Sequence, residues 1–196
     1  IMLKGKDVTR ASIGQIRQDG MAYIPEDRMH NGCAATMSVE ENMIVSNIDS
    51  FAGKTKMINF KKVKEHCVKL IEEFNVKTPS EKQRIKSLSG GNIQKAIVAR
   101  EFTAGADVLI LDQPTRGVDI GAISFIHSKI LEMRSAGKGI LLVSADLHEL
   151  ISLSDRILVM HKGKIVASLD NMKQKITEEE LGLYMLGIKT QEDIPV

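Results

Sequence analysis

The pattern of apolar and polar positions changes period several times along the chain, and each change marks an element. Val108-Leu109-Ile110-Leu111 is a continuous apolar run of strand length, which suits a parallel strand covered on both faces. Upstream of it, an apolar-periodic run starting at Ile93 predicts a helix. Phe60, Val63, Cys67, Leu70, Ile71 and Phe74 recur at helical spacing with Lys and Glu between them, which predicts an amphipathic helix. Ile123, Ile126, Ile130 and Met133 predict another, ended by Gly137. Residues 1–8 and 21–24 read as strands, residues 139–144 as a second buried strand, and residues 147–153 as a short helix. Residues 157–160 and 164–168 alternate around Lys162-Gly163, the pattern of a hairpin.

Helix starts are marked by Ser12-x-x-Gln15, Ser38-x-x-Glu41 and Thr177-x-x-Glu180, each a capping-box pattern. Gly20 is placed to end the first of these helices. Pro25 stops the strand before it, residues 26–32 read as a polar loop, and residues 79–86 as a charged connector. The tail after Ile188 is expected to be loose. Strands alternating with helices imply an α/β sheet. A mainly helical stretch over residues 27–87 interrupts it.

Length and composition narrow the function classes. A chain of 196 residues fits one domain with room for a sub-domain. The net charge is +2 with both signs interspersed, which argues against a dedicated nucleic-acid surface. Trp is absent and aromatics are scarce, so base-stacking platforms are not expected. Cys33 and Cys67 are far apart with no metal-ligand spacing, and read as free thiols. No apolar run approaches a membrane span, and no charged-then-apolar leader opens the chain. The opening, IMLKGKDV, has no initial Met and reads as the middle of a strand; the expectation is a fragment.

The candidate chemistry lies between Leu88 and Asp119. Ser89, Gly90 and Gly91 precede the helix that starts near Ile93. Glycines let backbone approach a ligand closely, and the unpaired N–H groups at a helix head attract phosphate. Taken alone, Ser-Gly-Gly reads rather as an ordinary N-cap with a flexible entry. The apolar strand changes that balance, because it ends in Asp112, where a strand's carboxyl end opens onto a crevice. A carboxylate there can hold Mg²⁺ through its water shell. Gln113 then occupies the position where a nucleotide hydrolase places its water-activating base.

LSGGNIQK at 88–95 followed by LILDQPTRGVD at 109–119 resembles the ATP-binding subunits of ABC transporters: a signature loop, then a Walker B strand and D-loop. The resemblance runs over residues 1–169. It implies an α/β ABC-type nucleotide-binding domain, with a mainly parallel sheet flanked by helices and an inserted helical sub-domain. The implied division is a partial ATPase core over residues 1–26 and 88–169, a helical sub-domain over 27–87 that docks on a permease, and a C-terminal helix and tail over 170–196. It also implies ATP and Mg²⁺ as cofactors. Ser89, Gly90, Gly91 and Asp119 would then be ATP-binding residues, and Asp112 and the Q-loop position Glu26 metal-site residues. For Asp119 the alternative is a plain N-cap.

The chain departs from the family pattern at informative places. No G-x-x-x-x-G-K-[ST] is present: Gly53-Lys54-Thr55 has Ile48 where the first Gly belongs and reads as a surface turn. Gln113 stands at the general-base position, and an amide orients a water without accepting its proton. Ala145 stands at the switch-His position, and Glu26 where a Q-loop Gln is usual. His148-Glu149 lacks a second His at 152 and reads as a solvated helix face. Together these imply a degenerate site of the chain's own beside an intact signature loop.

PEDR, LSGGNIQK, PTRGVD and SDRILVM resemble the second ATP-binding half of importers for nucleosides and simple sugars. The partners so implied are a second nucleotide-binding domain, the other half of the same polypeptide, then membrane permease subunits and, indirectly, an extracytoplasmic substrate-binding protein. No nucleic acid is implied. The implied location is peripheral, at the cytoplasmic face of the cell membrane. Two other readings stand beside it: a non-catalytic module that props up a partner ATPase domain, and a soluble ABC ATPase outside transport. The near-neutral charge and the importer-like phrases weigh against the last.

Overall fold

The structure, a computed structural model, describes residues 1–53, 56–174 and 176–191. Lys54 and Thr55, and with them the expected turn at 53–55, lie outside the described residues. The chain forms two compact units, residues 1–143 and 144–196.

In the first unit a parallel three-stranded sheet has the order β3-β4-β5, with β3 at Met21–Ile24, β4 at Val108–Asp112 and β5 at Gly139–Val143. Ala22 pairs with Leu109 and Leu109 with Ile140, so the apolar run of β4 is the central strand. Leu109 and Leu111 are fully buried. The opening strand expected over 1–8 is instead a tight hairpin, β1 at Met2–Leu3 and β2 at Lys6–Asp7. Lys4 (φ 51°) and Gly5 (φ 80°) turn it, and two successive positive-φ residues are the requirement of a two-residue hairpin turn. Strand β5 also departs from expectation. Leu141 and Val143 are about half exposed, because β5 is an edge strand with only β4 beside it among the described residues.

The helices follow from their caps. Ser12 accepts from the Gln15 N–H and opens α1, Ile13–Gln18; Gly20 follows it at φ 99°. Ser38 and Glu41 form a complete capping box for α2, Val39–Ile44. The amphipathic helix α3, Phe60–Glu73, buries Val63, Cys67 and Leu70, and leaves Phe60 exposed at its N-terminus. Helix α4, Gly90–Thr103, is no amphipathic surface helix: every residue from Ile93 to Phe102 is buried. It packs on α2, α3, β3 and α5, the last spanning Ile120–Ser135. Residues 26–32 were expected as plain loop, and the structure forms a π-turn over Arg28–Gly32. Asp27 caps it, accepting from the N–H groups of Met29 and His30 at 3.0 Å each.

The buried polar side chains of α4 are all partnered, as burial demands. Gln94 donates to the Pro114 carbonyl at 2.7 Å. Lys95 donates to the Asn75 carbonyl and lies over the Phe125 ring. Glu101, with no exposed surface, accepts from Arg17 at 2.9 Å, Arg100 at 2.7 Å and Ser46 at 2.9 Å. Arg100 also donates to the Gly32 and Asn42 carbonyls. One carboxylate thus ties α1, α4 and the 3₁₀ turn Val45–Phe51 together. Burial alone would raise its pKa, but the two guanidinium groups outweigh that and hold it below the ordinary glutamate value.

The second unit holds α6 at Leu147–Leu153, the hairpin of β6 (Arg156–His161) and β7 (Lys164–Asp170), and α7 at Glu178–Met185. Lys162 and Gly163 turn the hairpin with positive φ. Ile157, Val159, Ala167, Leu169, Leu181 and Tyr184 form its core. Glu149, expected on a solvated face, is only 1% exposed. It sits in the first turn of α6, where its N–H is held by the capping carboxylate of Asp146.

Candidate functional site

The candidate residues of the first unit gather around three chain segments: the loop after β3, the turn after β4 and the head of α4. Asp112 ends β4 half-buried. Its Oδ2 accepts from the Tyr23 hydroxyl of β3 at 3.3 Å. Tyr23 has its pKa raised, first by burial and then by the Asp112 charge. Among the described residues no three His, Cys, Asp or Glu groups cluster as a metal cage. One carboxylate with an oxygen left open fits a hard cation that keeps most of its waters, the habit of Mg²⁺.

Gln113 follows in the left-handed region, φ 50°, which is costly for a residue with a Cβ. Its N–H donates to the Val143 carbonyl at 2.8 Å, so the β4–β5 ladder carries one residue past Asp112 and fixes this conformation. Glu26, expected from the sequence at a Q-loop position, is ion-paired with the Arg116 guanidinium. Its carboxylate is therefore engaged by the turn after β4. Ala145 lies exposed just before the Asp146 cap of α6 in the second unit.

The head of α4 carries no side-chain cap. The Ser89 hydroxyl accepts from the Asn92 amide at 2.8 Å, and Asn92 Oδ1 in turn accepts from the Lys77 N–H. The first N–H groups of α4 therefore have no capping acceptor, at an end where Ser89 is exposed, Gly90 half-buried and Gly91 buried. An open helix head can take an anion.

Both glycines also have neighbours within the chain. A Cβ on Gly90 would come 2.7 Å from Arg28 Nη2, and one on Gly91 would come 2.5 Å from Asp119 Oδ2 and 3.1 Å from the Ala122 Cβ. Asp119 does cap α5, accepting from the Ala122 N–H at 3.0 Å. Arg28, Tyr23 and Gln94 are the residues that reading the sequence missed. Of these only Gln94 left a trace, as a polar residue on the buried side of an apolar run.

A parallel sheet with a carboxylate at the end of its central strand, beside an open glycine-headed helix, defines a nucleotide-handling α/β protein. The chain belongs to the ABC transporter family, whose profile matches residues 1–116. It is 40% identical over 197 aligned positions to the Guanosine import ATP-binding protein NupO of Bacillus subtilis, covering 98% of this chain and 38% of that protein. It is 38% identical to the Nucleoside import ATP-binding protein NupA of Lactococcus lactis, covering 95% of this chain and 37% of that one. It is 37% identical to a Ribose import ATP-binding protein of Clostridium perfringens, with 96% and 37% coverage. The chain therefore spans less than two fifths of the length of these curated relatives. Among solved structures it superposes on a dimeric, post-hydrolysis ATP-binding cassette bound to ADP and Pi with a TM-score of 0.72, at 16% identity, covering 86% of this chain and 71% of that one. At that identity the likeness establishes the ATP-binding cassette fold.

Proposed function

We propose that this chain is the second nucleotide-binding half of an ABC importer for nucleosides or simple sugars, and that it works by lending Ser89 and Gly90 to the ATP site of a facing nucleotide-binding domain. The observation that carries this reading is the uncapped head of α4, with Ser89 exposed and its hydroxyl held by Asn92. The names of the relatives, guanosine, nucleoside and ribose import proteins, support the cargo class.

In this reading ATP held by the facing domain supplies the free energy of closure and of reset. The residues of this chain bind and orient: the α4 head donates to phosphate oxygens, Gly91 and Gln94 fix α4 against the turn after β4, and Asp112 would hold Mg²⁺ through water. Gln113 can orient a water but cannot take its proton. With no P-loop sequence in the chain, the expectation is that this chain by itself neither binds ATP tightly nor hydrolyses it. No described helix is long and apolar enough to cross a membrane. In the proposed importer the chain acts peripherally, at the cytoplasmic face, as the import proteins it resembles would.

The test is Ser89→Arg in the full-length protein. A long cation at the α4 head would block the facing site, and transport-coupled ATPase turnover should collapse. Unchanged turnover would refute the assignment.

A further inference from the structure

We infer that Arg28 is a positioning residue, a latch that sets the head of α4 for the phosphate contact proposed above. This rests on that reading of Ser89 and Gly90. The Arg28 guanidinium donates through Nη1 to the Arg116 carbonyl at 2.6 Å and through Nη2 to the Gly117 carbonyl at 3.0 Å. The same group lies against Gly90, so close that a Cβ there would stand 2.7 Å from Nη2 and 3.3 Å from Cζ. One planar cation therefore touches three chain positions: the π-turn that carries it, the turn after β4, and the first residue of α4.

The latch is itself held at both ends. Asp27 caps the π-turn through the N–H groups of Met29 and His30, which fixes the backbone from which Arg28 springs. On the far side, Gly117 sits at φ 65°, a left-handed conformation that turns its carbonyl to Nη2. A second arginine crosses the same gap in the opposite sense, Arg116 pairing with Glu26. The loop after β3 and the turn after β4 are thus cross-linked twice, and Gly90 is packed on one of the links.

Only arginine suits this place. Two carbonyls from adjacent residues are met by two N–H vectors of one rigid fork, and the Nη2 end of that fork lies against Gly90, where there is room only for a glycine. A lysine ammonium is a single point donor and leaves one carbonyl unserved. An uncapped helix head has no side-chain bond of its own to hold its register, so its placement depends on what packs against it. Arg28 supplies that packing without taking the N–H groups a phosphate would use.

The experiment uses the full-length protein with its permease. Arg28→Ala should lower kcat for ATP by about 10- to 100-fold, the scale of a small misplacement, with KM for ATP changed less than about twofold. Without nucleotide, amide exchange at residues 90–92 and 116–118 should accelerate by about tenfold or more, while exchange in the β4 core stays unchanged. Gly90→Ala should be severe alone and cost much less in the Arg28→Ala background, because its clash partner has gone. Arg28→Lys, which keeps the charge, should not restore kcat, and it serves if the alanine variant fails to fold. Additive effects of the Gly90 and Arg28 changes, or unchanged exchange at 90–92, would overturn the latch. Ser89→Arg without effect would overturn the underlying reading and the latch together. Loss of turnover in Ser89→Arg with none in Arg28→Ala would overturn the latch alone.

Discussion

Gly91 packs onto Asp119 with no room for a methyl group: a Cβ would stand 2.5 Å from the Oδ2 of the carboxylate that caps α5. The second glycine of the candidate phosphate loop therefore joins α4 to the cap of the next helix. Gly91→Ala should push Asp119 off the Ala122 N–H and press on the Ala122 Cβ. The expected cost is about 1–3 kcal/mol, from the lost cap and overpacking. Asp119→Ala loses the cap alone, and adding Gly91→Ala to it should cost less than in the parent. Urea unfolding of the single and double variants gives the coupling. Full additivity would mean that Gly91 does not press on Asp119.

Glu101 should give the chain a measurable acid sensitivity. Its folded-state pKa is lowered from the ordinary glutamate value, because Arg17 and Arg100 outweigh the effect of burial. A carboxylate of this kind contributes stability that is fully present above the unfolded-state pKa. That contribution is lost as pH falls through the lower folded-state value. Unfolding midpoints should therefore fall as the medium is acidified below about pH 4, and Glu101→Gln should flatten that part of the profile. Glu101→Ala leaves the buried Arg100 without its counter-charge and should cost roughly 3 kcal/mol or more at neutral pH. A profile identical in parent and Glu101→Gln would remove Glu101 as the cause.

Tyr23 reports directly on Asp112. With no Trp and only two Tyr in the chain, tyrosinate absorbance can be followed residue by residue once Tyr184→Phe is made. The Tyr23 phenol should titrate above its ordinary value, raised by burial first and by the Asp112 charge second. Asp112→Asn should bring the midpoint down while leaving the part due to burial. Being raised, this group favours the fold below its unfolded pKa and loses that effect as pH climbs through the folded value. A midpoint indifferent to Asp112→Asn would show that the 3.3 Å contact is not made in solution.

The sheet and the helices were legible because they rest on local rules. The unbroken apolar run of β4 announced a central strand, the capping residues placed α1, α2 and α7, and Lys162-Gly163 placed the β6–β7 turn. Less legible was whatever depends on distant chain. β5 has the composition of a buried strand, yet its exposure is set by how many neighbours the sheet supplies. Glu149 looked solvated because helical spacing gives no sign of which face turns inward in so short a helix. Arg28 and Tyr23 reach partners 88 and 89 residues away, and no periodicity encodes such pairs. The glycines of the α4 head were visible from the start. That each lies against a specific side chain of its own chain became visible only in the fold.

On the function proposed above, Gln113 decides whether this chain has a latent site of its own or serves as a prop for a partner domain. It lies one residue beyond Asp112, is held at φ 50°, and its N–H is fixed on the Val143 carbonyl. The backbone geometry at the proposed general-base position is thus fixed, although the side chain is an amide. A glutamate fits the same backbone and has nearly the same shape, so Gln113→Glu changes chemistry with little change in packing. In the full-length protein it should raise ATP turnover if a second nucleotide is bound in register at this half. General-base catalysis is worth about 10²- to 10⁴-fold when the rest of a site is in place. Ala145 and Glu26 also depart from the family pattern, so a rise nearer tenfold is expected, still well outside assay error. Steady-state ATPase with the permease present makes the measurement, and the first half is silenced by substitution of its own base. Turnover that stays at background would mean that the proposed second half acts without chemistry of its own, and its proposed contribution would then rest on the head of α4 alone.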